Sequence, residues 1–114
     1  MDGKRRVQFN HLGTARRELL AWAGAIAVPL ARVEFVVPFV KTDFDADVWL
    51  FFDTHANVEH CAETGETARV EEKFRSILAG DGYPTDWLVG ISFYVDSHDN
   101  VERNYEGNYF YRLR

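Results

Sequence analysis

WLVGISFYVDSHDNVERNYEGNYFYRLR, residues 87–114, is the stretch on which the fold turns. Val89, Ile91, Phe93 and Val95 alternate with Leu88, Gly90, Ser92 and Tyr94. A period of two sends successive side chains to opposite faces of an extended chain, so a strand is predicted from Trp87 to Asp96. Ser97-His98-Asp99-Asn100 is turn chemistry, because short polar side chains bond to nearby backbone. Val101 to Leu113 then reads as a long aromatic return strand, kinked at Gly107. Read this way, the chain closes on a β-hairpin.

Upstream, Val70, Phe74, Ile77 and Leu78 recur at i, i+4, i+7 and i+8, one face of a helix, with Thr64 or Thr67 as its cap and Gly80 and Gly82 placed to end it. Tyr83-Pro84 leads from that helix into the strand. Further back, Val33, Phe35, Val37 and Phe39 alternate from Arg32 to Val40, and Val48 to Asp53 forms a second β run with Trp49, Leu50, Phe51 and Phe52 on both faces. A hairpin joins them. Pro38 cannot donate a ladder hydrogen bond and marks a free edge, which leaves pairing with a second copy as a homodimer open. Val58 sits where a short third strand would fit. Near the start, Thr14 can cap a helix from about Ala15 to Ala27, with Leu19, Trp22, Ala23, Ile26 and Ala27 on one face and Val28-Pro29 ending it. The expected fold is α+β: a mostly antiparallel β-sheet of four to five strands with two helices packed on one face, in the order α-β-β-(β)-α-β-β. Residues 13–114 form the single domain, behind a flexible basic leader at 1–12.

A chain of 114 residues supports one core, and 46% hydrophobic with 27% charged residues excludes the composition of a disordered protein. Nine Phe, five Tyr and three Trp fall mostly in the β-like segments, so sheet faces are their expected destination. Cys61 is the only cysteine, which rules out an intramolecular disulfide and fits a reducing compartment. The start MDGKRRVQFNHLG is not followed by a secretory apolar run, and Leu19 to Leu30 is too short to span a bilayer. The expectation is a cytoplasmic protein with no membrane contact.

The formal net charge is −5, unevenly spread. Residues 1–41 carry seven Lys and Arg against three Asp and Glu, whereas residues 42–111 carry four against fifteen. An acidic body disfavours nucleic acid as a ligand and favours a basic protein partner, although surface acid also serves solubility.

Complete catalytic or metal motifs are missing. Asp43-x-Asp45-x-Asp47 matches the start of an EF-hand loop, but Val48 stands where glycine is required and Thr54 where the bidentate Glu belongs. His55, His60 and Cys61 follow no zinc spacing, and His60 beside Cys61 would point away from it on an extended chain. Asp96-x-His98-Asp99 places two carboxylates by an imidazole without a serine-nucleophile motif, and Gly80-x-Gly82 follows a helix rather than a strand, the wrong context for phosphate. No metal or cofactor is expected. Two readings remain. One is an interaction surface in which Asp96, Asp99, Glu102 and Glu106 steer a basic partner and Tyr105 and Tyr109, with Tyr94 and Tyr111, supply rigid contact area. The other is a small ligand-binding domain or enzyme with an aromatic pocket at Trp49, Tyr83 and Trp87 and His55 or His98 as its polar group.

The closing stretch, residues 87–114, together with the order of elements before it, resembles the YezG-like immunity proteins that neutralise bacterial polymorphic toxins. In that family a helix and hairpin precede a second helix, a strand, an acidic turn and a Tyr-rich final strand. The resemblance spans about residues 14–114 and implies a cytoplasmic, non-catalytic antitoxin that binds a secreted toxin domain, often a nuclease. A nuclease is basic where it grips phosphate, which an acidic protein surface can occupy.

Overall fold

Val48, Trp49, Leu50, Phe51 and Phe52 follow one another in a strand that is buried on both faces, and the other elements are arranged around it. The computed structural model describes residues 3–37 and 43–113. In chain order they form α1 (Gly3–Ala25), β1 (Leu30–Val36), β2 (Ala46–Phe52), α2 (His55–Thr64), α3 (Glu66–Gly80), α4 (Thr85–Leu88), β3 (Ile91–Ser97), α5 (His98–Asn104) and α6 (Tyr109–Arg112).

The sheet has three strands in the order β1-β2-β3. β1 runs antiparallel to β2, pairing Val33 with Leu50 and Phe35 with Val48, as a hairpin requires. β3 runs parallel to β2, pairing Trp49 with Tyr94 and Leu50 with Val95. A parallel neighbour cannot be reached by a tight turn, and α2, α3 and α4 make the crossover. On one face Ala46, Val48, Leu50 and Phe52 join Val33, Ile91, Leu12, Leu19, Val70, Phe74 and Leu78 in the main core. On the other, Phe51 meets Val101 and Tyr109 in a smaller cluster flanked by Trp49, Tyr105 and Leu113.

This corrects the sheet expected from sequence. Four to five mostly antiparallel strands with two helices on one face give way to three mixed strands, with six helices among the described residues and packing on both faces. The return strand expected at 101–113 is helix, turn, helix. The Ser97 hydroxyl accepts the Asn100 N–H at 3.1 Å and the Asn108 side chain accepts the Tyr111 N–H at 3.2 Å, so both helices start on side-chain caps. Between them Glu106 and Gly107 take φ of 55° and 72°, a left-handed pair that reverses the chain. A Cβ on Gly107 would also stand 3.1 Å from Glu102 Oε1. The same polar residues that suit a turn therefore serve as helix caps.

Three further differences have local causes. The third strand placed around Val58 is α2, started by the Thr54 hydroxyl, which accepts the Asn57 N–H at 3.1 Å. Trp87 and Leu88 belong to the single turn of α4, so β3 begins at Ile91. Residues 3–12, expected as leader, are the first turns of α1, whose buried stripe is Gln8, Leu12, Ala15, Leu19 and Ala23, whereas Ile26 and Ala27 lie beyond the helix and exposed. Thr14 accordingly sits within α1 and caps nothing at its start.

α3 matches its periodicity, with Val70, Phe74 and Leu78 buried, but its N-cap is Gly65. Thr64 ends α2, and the Thr67 hydroxyl is buried without a hydrogen-bond partner among the described residues. The edge position expected for Pro38, with Phe39 and Val40, lies outside the described residues. Among those described, no helix is long and apolar enough to cross a membrane.

Phe74 is fully buried and its ring meets Phe93 edge-on at 5.9 Å. Phe74→Ala is expected to lower stability by about 3–5 kcal/mol, read from urea unfolding; a loss under about 1 would show that α3 is not the main cover of the sheet.

Candidate functional site

On the second sheet face, alternation brings together Arg32 and Glu34 from β1, Asp47, Trp49 and Phe51 from β2, and Ser92, Tyr94 and Asp96 from β3. The α5–α6 arm covers one end of it. Arg112 Nε donates to Asp96 Oδ2 at 2.5 Å while its guanidinium lies 4.5 Å from the Trp49 ring centroid and 5.4 Å from that of Tyr105. Tyr109 stands edge-on to Phe51 at 4.7 Å, carries Arg32 4.0 Å above its ring, and shares a short hydrogen bond with His98 Nδ1.

Of the six residues expected to bind a partner, four hold this arm in place. Asp96 also accepts the Ser97 N–H and Asn100 Nδ2, each at 2.8 Å, and its side chain is only 13% exposed. Asp99 Oδ2 accepts the His55 N–H at 3.0 Å, joining the start of α5 to the start of α2. Tyr109 is buried, and Tyr105 lies half-buried beneath Arg112. Glu102, 3.4 Å from His98 Nε2, and Glu106 face solvent. The two acids nearest the turn are therefore engaged internally, through partners up to 44 residues away in sequence.

The aromatic pocket does not assemble. Trp49 lies on the second face, and His55 and His98 begin α2 and α5. Tyr83 and Trp87 do meet, at 5.4 Å, but within the main core, with Phe44 stacked on Trp87 at 4.1 Å and His11 edge-on to Tyr83 at 5.7 Å. Their polar neighbour is Gln8, fully buried, which donates to Phe44 O at 2.8 Å and the Tyr83 hydroxyl at 3.3 Å and accepts from Arg5 at 2.7 Å. This network ties the approach to β2 onto α1. An amide in the i, i+4 register of Leu12 was its sequence signal, hidden because Gln8 lies in the segment expected as leader.

His60 and Cys61 line a cleft of about 480 Å³ with Val28, Pro29, Asn57 and Arg69. Burial, then the charges of Glu66 and Asp53, push the Cys61 thiol up, the opposite of what a nucleophile needs. His55 faces Glu59 at 3.3 Å along α2. No group of three His, Cys, Asp or Glu side chains among the described residues could hold a metal ion. Asp43, Asp45 and Asp47 do not encircle a centre: Asp43 Oδ1 accepts the Asp45 N–H, Asp45 lies against Gly90, and Asp47 is within β2.

Exposed acid is spread over several elements, with Glu18, Asp45, Glu72, Asp81 and Asp86 among it, and one group of it surrounds α2 and α5. Asp53, Glu59 and Glu63 point outward around α2, and Glu102 and Glu106 around α5. Three of the four cations in residues 42–111 are engaged, Arg69 and Lys73 over Trp22 and Arg75 over Phe93, although Arg69 also lines the cleft beside α2. Arg103, in the last turn of α5, stays near the acids. No protein-family model, curated protein or solved structure matches the chain, so the site rests on its own geometry.

Two outcomes test this assignment. Burial acts to raise the Asp96 pKa, but hydrogen bonds from Arg112, Ser97 and Asn100 outweigh it; the Ser97 hydroxyl and the His55 N–H likewise lower that of Asp99. Depressed carboxyl values add stability that is complete above the ordinary value of 3.8 and is lost as pH falls through the folded values. The near-UV circular dichroism of Trp49 and Tyr109 should therefore weaken below about pH 4. Asp96→Asn should weaken it at pH 7, with about 1–3 kcal/mol lost; an unchanged spectrum would show that this contact does not hold the arm. Cys61 should react with a thiol reagent only as fast as the protein opens, and fast labelling of native protein would contradict its placement.

Proposed function

We propose that the chain is a non-catalytic binding protein that engages a basic protein partner through the acidic face of α2 and α5, acting as an immunity protein against a basic, nuclease-like toxin domain. The observation that carries this is the separation of charge. Asp53, Glu59, Glu63, Glu102 and Glu106 are exposed around α2 and α5, while Lys73 lies over Trp22 and Arg75 over Phe93, and Arg69, beside α2, is paired with Glu66; Arg103 is the cation of residues 42–111 within α5. Like-signed charge concentrated on one surface raises the encounter rate with an oppositely charged partner and repels nucleic acid. A toxin surface that grips phosphate is of the opposite sign and is blocked when an acidic protein occupies it. The tie from Asp99 to the start of α2 fixes the two helices relative to each other, so their acids form a preorganised surface.

The test is binding to a basic nuclease domain, measured against salt and with Glu59, Glu63, Glu102 and Glu106 each changed to Lys. Affinity should fall as salt rises. Each reversal should slow association by a few-fold and together by at least about a hundredfold at low salt, with cooperative melting retained. Affinity that ignores both salt and the reversals would sink the proposal.

A further inference from the structure

The α5–α6 arm packs on Phe51, at one end of the second sheet face, and toward the other end Ser92 and Tyr94 are exposed. The covered end follows a repeated pattern of ring, arginine and carboxylate. Arg112 lies over Trp49 and Tyr105 and bonds to Asp96. Arg32 lies over Tyr109 and bonds to Glu34 at 2.8 Å. Toward that exposed end stand a ring and a carboxylate that no arginine among the described residues joins. Tyr94 stacks on Trp49 at 5.0 Å and is 43% exposed. Asp47 pairs in register with Ser92, two residues before the Trp49–Tyr94 pair, so its side chain is the diagonal neighbour of Tyr94 on the same face. Among the described residues no ion pair or side-chain hydrogen bond reaches Asp47, and no cation lies over Tyr94.

Resting on the reading of the chain as a binder of a basic protein, we propose that Tyr94 and Asp47 form the docking site for an arginine of that partner, its guanidinium stacked on the ring and bonded to the carboxylate. At the covered end of this face the protein completes the same arrangement with Arg112 and with Arg32, so the geometry suits a planar guanidinium. Arginine is favoured over lysine because it stacks on the ring while keeping in-plane donors for the carboxylate. Partial burial, and then Asp45 beside it, raise the Asp47 pKa, so its charge is held against a penalty that a bound cation would relieve. Ser92, exposed beside Asp47, adds an acceptor.

Hexa-arginine and hexa-lysine peptides serve as probes, followed by amide chemical shifts of the whole chain. Hexa-arginine should shift Asp47, Ser92, Tyr94 and the Trp49 indole, bind more tightly than hexa-lysine, and lose about three- to tenfold in affinity in Asp47→Asn and in Tyr94→Ala. Asp47→Asn should melt at or above the wild-type temperature, since it removes a penalised charge, which separates lost binding from lost folding. Shifts confined to α2 and α5, unchanged affinity in both variants, or equal binding of the two peptides would overturn this docking site and leave the acidic-face reading standing. No shift anywhere with either peptide would overturn both.

Discussion

A seven-residue strand that carries Val48, Trp49, Leu50, Phe51 and Phe52 in succession has no face it can leave in water. Burying it on both sides requires a layer above and a layer below, and a neighbour along each edge. Helices α1 and α3 provide one layer, through Leu12, Leu19, Phe74 and Leu78. The other does not come from a second sheet, because the described residues form a single sheet of three strands. It comes from the short α5–α6 arm, which brings Val101 and Tyr109 onto Phe51. The parallel placement of β3 follows from the same need, because the long connection through α2, α3 and α4 covers the sheet before the chain returns.

An arm of two short helices cannot be held by area alone, and polar contacts complete it. Arg112 reaches Asp96 on β3, and Asp99 reaches the first N–H of α2. Charge-assisted bonds of this kind are stronger than neutral ones and are lost steeply when one partner is removed. The carboxylates with the strongest internal partners are thereby withdrawn from any interface, while Glu59 and Glu63 on α2 and Glu102 on α5 are among those left facing solvent. The acidity of the whole chain thus overstates what a partner meets, because Asp96 and Asp99 are spent on internal bonds.

The same division explains the aromatic residues. Tyr105 and Tyr109 read from sequence as contact surface and Trp49 as the lining of a pocket, yet each is covered by an arginine of the same chain. Tyr94 alone among these tyrosines keeps a large exposed ring on the sheet. Spacing along the sequence does not distinguish these cases, because Arg32 lies far in chain order from Tyr109 and Arg112 far from Trp49.

Residues interacting with close neighbours in the chain were legible without coordinates. The i, i+4 recurrence of Val70, Phe74 and Leu78 gave α3, alternation gave the β1–β2 pair and the centre of β3, and residue counts gave the lone thiol and the acidic body. Each depends on the period of a single element or on composition alone. Residues 101–113 alternate aromatic with polar and carry cap residues as well, so local rules admit both strand and helix there. Contact with Phe51, Trp49 and Asp96 selected the helices. The parallel direction of β3, the burial of Gln8 in α1 and the removal of Asp96 and Asp99 from the surface are likewise fixed by partners between 16 and 75 positions distant. Sequence periodicity reports which side of an element is apolar; only packing decides what that side meets and which charges remain free.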